Sequence, residues 1–102
     1  MENQNMRIYK HHDKEVRVIE EEGANFVCVA DLAKIMGLAD GRITRIPYPC
    51  RQIMVNTKGG IQPVKMMRID NVVTLLFRSR KPGAEDVRRW FMAEIAKEHL
   101  PS

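Results

Sequence analysis

Between residues 7 and 69 the β-prone residues of this chain come in short runs, each closed by turn-forming residues. That punctuation restricts the fold more than any other feature. Residues 7–9 and 16–19 flank the polar stretch Lys10-His11-His12-Asp13-Lys14, the pattern of a hairpin. Residues 20–25, with Gly23, make a second turn before a third strand at Phe26-Val27-Cys28-Val29. Residues 51–56 and 61–69 form a second hairpin around Thr57-Lys58-Gly59-Gly60, where glycine permits positive φ. Pro63 cannot donate to a ladder, so its strand is expected to have a free edge there.

The helical signals lie elsewhere. A first helix begins at Ala30, with Leu32, Ile35 and Met36 on one face and Gly37 as its stop. Asp70 is expected to cap a second, in which Val72, Val73, Leu75, Leu76 and Phe77 fill one broad arc while Thr74 and Arg78 face away. Pro82 suits the first turn of a third, whose buried stripe is Val87, Phe91 and Ile95. The expected fold is therefore α+β: two β-hairpins plus an extra strand, packed with about three α-helices. The 102 residues, 44% of them hydrophobic, suffice for one core, so residues 1–102 are read as a single domain.

Charge is unevenly placed. The net charge is +4, yet eleven of the seventeen Lys and Arg lie between Arg42 and Arg89. Only three acids share that stretch: Asp70, Glu85 and Asp86. Such an excess favours a polyanionic partner. Two cysteines, Cys28 and Cys50, with no CxxC spacing, suggest a reduced, cytoplasmic protein. No apolar stretch has the length of a membrane span, and Met1-Glu2-Asn3-Gln4 is not a secretion signal.

Residues 31–46 fit two readings. Ala33, Gly37 and Ile43 match the small residue, turn glycine and aliphatic of a helix-turn-helix, which would project Arg42 and Arg45 toward a groove. Gly41 and Pro47 oppose a second helix and favour an irregular loop. A second set of cations, Arg78, Arg80, Lys81, Arg88 and Arg89, surrounds the junction of the last two helices, where a phosphate backbone could dock. Of these, Arg88 and Arg89 can pair with Glu85, and Arg88 falls near the buried stripe; Arg78, Arg80 and Lys81 have no acid nearby in sequence. Arg51, Lys58 and Lys65 place charge on the second hairpin, either to contact nucleic acid or to protect an edge strand.

His11, His12 and Asp13 read as a solvated turn, since Cys28, Cys50 and His99 do not complete a zinc pattern with them; no metal or other cofactor is expected. Trp90 could stack on a base, but on an amphipathic helix it reads as core. No nucleophile with a base, phosphate loop or carboxylate pair stands out, so the chain reads as a binding module and not an enzyme.

The order of these pieces resembles the Bro-N domain, the amino-terminal module of phage antirepressors and of related proteins of large DNA viruses. The resemblance runs through Val16-Arg17-Val18-Ile19, Phe26-Val27-Cys28-Val29-Ala30-Asp31-Leu32-Ala33 and Gly59-Gly60-Ile61-Gln62. It continues through Val72-Val73, Leu75-Leu76-Phe77, Arg78-Ser79-Arg80-Lys81-Pro82 and Val87-Arg88-Arg89-Trp90-Phe91, and thins between residues 38 and 51. Members often carry a separate carboxy-terminal domain; this chain stops at Ser102. The resemblance implies a DNA-binding regulator in a phage or prophage setting; the candidate contacts, chosen by the placement of charge, are Arg42, Arg45, Arg51, Lys58, Arg78, Arg80, Lys81 and Arg89. The alternative it implies is a protein-binding antirepressor that captures a repressor; in that case apolar surface at Met54, Met66 or Met67 is expected to matter more than charge. The expected partners are thus double-stranded DNA or a repressor protein, with a homodimer compatible with either and no membrane partner.

Overall fold

A computed structural model describes residues 5–38 and 48–99. Five strands, β1 (Asn5–His11), β2 (Lys14–Glu21), β3 (Ala24–Cys28), β4 (Cys50–Thr57) and β5 (Gly60–Arg68), form one antiparallel sheet in the order β1-β2-β3-β5-β4. The expected hairpins are present and the extra strand joins them: β3 pairs with β2 through Val18–Val27 and with β5 through Val27–Met67. The first two turns contain only two residues each. His12 (φ 57°) and Glu22–Gly23 (φ 54° and 79°) take left-handed backbone there, which lets two twisted strands reverse so tightly. At the third, Lys58 and Gly59 bridge Thr57 and Gly60, and the Thr57 hydroxyl donates to the Gly60 carbonyl at 2.7 Å. β5 pairs with β3 only over Met66–Arg68, so around Pro63 its partner among the described residues is β4 alone, as the proline requires.

Because side chains alternate along a strand, the two sheet faces carry different cores. Val16, Val18, Val27 and Met67 meet the helices on one face. Ile19, Phe26, Cys28, Met66, Ile53 and Val55 build a second cluster from strand residues on the other. Helix α1 (Val29–Ile35) follows β3 directly and buries Val29, Leu32 and Ile35. It ends as expected at Gly37, φ 73°, where the amides of Gly37 and Leu38 donate to the Lys34 and Ala33 carbonyls.

Helix α2 (Ile69–Arg78) begins one residue before the expected cap. Asp70 lies inside its first turn, accepting from the Asn71 amide at 2.9 Å and from Arg68 Nε at 3.3 Å. Its buried line is Ile69, Val72 and Leu76, at helical spacing. Phe77, expected on the buried arc, is 58% exposed, because one residue beyond Leu76 turns it about 100° away from the core. Helix α3 (Ala84–Phe91) starts two residues after Pro82, which stands in the preceding turn; Gly83, φ 84°, takes the capping position. The helix widens through a π turn, Met92–Ala96, and closes with Lys97–His99. Its stripe of Val87, Phe91 and Ile95 is buried as expected, joined by Ala96 after the π turn.

Candidate nucleic-acid interface

The corner between α2 and α3 is held by a side chain that the sequence placed ambiguously. Arg88, on α3, donates from Nη1 to the Leu76 carbonyl at 3.3 Å, a second donor beside the Ser79 amide that caps the end of α2. Its guanidinium also covers the exposed Phe77 ring, 5.2 Å from the centroid. Arg88 thereby fixes how α3 leaves α2, and the linker 79–83 must loop out between them. That loop presents Arg80 and Lys81 to solvent beside Arg78, the last residue of α2. Arg78 Nη1 lies 3.4 Å from the Tyr48 hydroxyl, a neutral acceptor that steadies the cation without cancelling its charge.

The nearby acids look elsewhere. Glu85 accepts from Arg89 Nη2 at 3.1 Å, one turn along the same helix. Asp86 faces His11 and His12 at the β1–β2 turn, at 3.3 and 3.6 Å. Arg78, Arg80 and Lys81 consequently have no carboxylate partner among the described residues. All three are exposed, so their charges face solvent at this corner.

The other sequence candidates are not gathered in the same way. Arg51 on β4 lies 3.1 Å from Glu22 and 3.7 Å from Glu21, and its guanidinium covers Phe26, so it closes the edge of the second core cluster. Arg89 is engaged by Glu85. Lys58 stands exposed at the tip of the β4–β5 turn. Arg42 and Arg45, with the second helix of the helix-turn-helix reading, lie outside the described residues. Met66 and Met67, expected as apolar contact surface, are fully buried, one on each face of the sheet; Met54 is exposed.

Two further arrangements join residues that are distant in sequence. Arg17 grips Asp31 with Nε at 2.9 Å and Nη2 at 3.2 Å, while the Arg17 amide donates to the same carboxylate at 3.0 Å. The carboxylate raises the already high pKa of that guanidinium further. Cys28 lies beneath, 3.3 Å from Arg17 Nη2, its thiol pKa pushed up by burial. At the first turn, His11 is buried against Trp90, with ring centroids 4.8 Å apart, whereas His12 and Asp13 are exposed. The expected solvated turn is therefore solvated only in part, and Trp90 is half-buried against this histidine and the core. Nothing local in the sequence links Asp86 to that turn, or Tyr48 to Arg78; both pairings arise from tertiary folding.

No helix among the described residues is long and apolar enough to cross a membrane. A scan against family models, a search of curated proteins and a search of solved structures each found no match, so the chemistry of the site itself has to carry the functional reading.

Proposed function

We propose that this chain is a non-catalytic regulatory module of the phage or prophage antirepressor type, of the Bro-N kind, acting in the cytoplasm and holding duplex DNA at the α2–α3 corner. The observation that carries the reading is the set of exposed cations Arg78, Arg80 and Lys81, left without carboxylate partners among the described residues while Arg17, Arg51, Arg68 and Arg89 are paired. Three exposed cations within four residues, with no carboxylate beside them, set up a local positive field that favours a polyanion. Phosphates fill that role, and each one bound releases counterions. The contacts position the chain on the backbone without reading sequence.

Titration of duplex DNA at several salt concentrations tests this. Three phosphate contacts give a log–log slope of about −2.7, at about −0.9 per phosphate. Arg78→Ala with Arg80→Ala should flatten the slope by roughly two contacts and weaken binding to all sequences alike. An unchanged affinity and slope in that variant rejects the corner as a DNA site.

A protein-capturing antirepressor is the second reading. The cross-strand register puts Met54, Pro63 and Ile61 on one face of the β4–β5 hairpin, and Met54 and Ile61 are 54% and 69% exposed. Loss of repressor capture in Ile61→Thr, with no DNA shift by the parent chain at low salt, would favour this partner over DNA.

A further inference from the structure

We propose that His11, His12 and Asp86 form a binding site for one divalent transition-metal ion of the zinc class. One ligand atom from each residue lies within 4.8 Å of the other two. Asp86 Oδ2 is 3.3 Å from His11 Nε2 and 3.6 Å from His12 Nε2. Ligands bonded to zinc at about 2.0–2.1 Å in a tetrahedron stand about 3.3–3.4 Å apart, so these two edges need little adjustment.

The backbone accounts for the convergence. Neighbouring residues of a strand point to opposite faces, and His11 and His12 would diverge if the strand continued. His12 instead leaves β1 with φ 57°, and its ring comes to 4.3 Å from that of His11. His11 is held from behind by Trp90, and Asp86 is carried in on the first turn of α3. Two imidazole nitrogens and one carboxylate oxygen suit zinc, nickel or copper, whereas magnesium and calcium take all-oxygen sets. The exposed sides of His12 and Asp86 leave a fourth position for water. Lys14, across the turn, is the nearby opposing charge and weakens the site. Occupied, the site would clip the β1–β2 turn to α3, joining positions 11 and 86.

The test uses the untagged chain, freed of metal with a chelator, titrated calorimetrically with zinc chloride at pH 7.5. One equivalent should bind, with a raised melting temperature. His12→Asn keeps a residue that tolerates left-handed backbone, and Asp86→Asn keeps the shape; each should lower zinc affinity at least tenfold. Trp90 is the single tryptophan, so copper bound at His11 should quench the parent's fluorescence and spare both variants. Both substituted side chains are exposed, and unchanged far-ultraviolet dichroism will show that the variants fold. Absence of binding by the parent, or affinity within threefold of the parent in either variant, overturns the three-ligand site.

Discussion

Arg17 and Asp31 illustrate how a residue's charge and its use can differ. Both lie in segments that read as strand and helix, and neither position announces an ion pair fourteen residues away. Burying Asp31 is tolerated only because Arg17 supplies three donors, two from its side chain and one from its backbone. Asp31→Ala should therefore lower the urea midpoint at unchanged slope. The expected loss is near the low end of the about 3–5 kcal/mol typical when one partner of a buried pair is removed, since the Arg17 side chain keeps 28% exposure. Arg89 gives the contrast: its exposed pair with Glu85 contributes about 0.3–0.5 kcal/mol, and Arg89→Ala should barely change stability.

Tyr9 donates to Glu98 at 2.6 Å and lies 2.7 Å from His99 Nε2, while His99 Nδ1 meets Asn25 Oδ1 at 3.1 Å. Burial, aided by the Arg7 charge, holds the His99 pKa below its ordinary 6.5 against opposing pulls from Glu98 and Glu20. The unfolded chain then takes up the proton first as pH falls. Stability from this group is full above pH 6.5 and is lost as pH drops through the depressed folded value. Urea midpoints measured from pH 8 to pH 5 should decline. His99→Gln should reduce that dependence, leaving the part due to His11, whose pKa burial also lowers.

At the scale of elements, termini decide more than interiors. Gly37 ends α1 by adopting φ 73°, and a Cβ there would meet nothing within 4 Å. The cost of Gly37→Ala is thus backbone strain alone, about 1 kcal/mol, read as a lowered melting temperature. Phe91 is fully buried between α3 and the sheet, and Phe91→Ala should cost about 3–5 kcal/mol through its cavity. The same helix shows why Arg88 and Arg89 cannot be treated as one basic unit. One residue apart on a helix they point about 100° apart, so one reaches the Leu76 carbonyl and the other stays on the surface.

For the molecule as a whole, the proposed corner concentrates positive field where α2 stops and α3 begins. The salt slope of DNA binding should respond to Arg78, Arg80 and Lys81, and Arg89→Ala should leave it nearly unaltered because Glu85 already neutralises that charge. Binding isotherms of the parent and Arg89→Ala at three salt concentrations check the distinction.

Much of this fold was legible in the chain. Strand runs, turn glycines and the Val87–Phe91–Ile95 stripe are local patterns, governed by backbone sterics and by the periods of helix and strand. The cations near Arg78 were equally visible, since Arg78, Arg80 and Lys81 fall within four residues that hold no acid. Tertiary structure alone decided that the hairpins join through β3 and β5, that Met66 and Met67 are buried, that Phe77 is not, and that Glu85 and Asp86 turn toward Arg89 and the two histidines. Those outcomes depend on which surfaces meet across long stretches of chain. Neither periodicity nor propensity carries information about such meetings, because both describe a residue only in relation to its neighbours along the backbone.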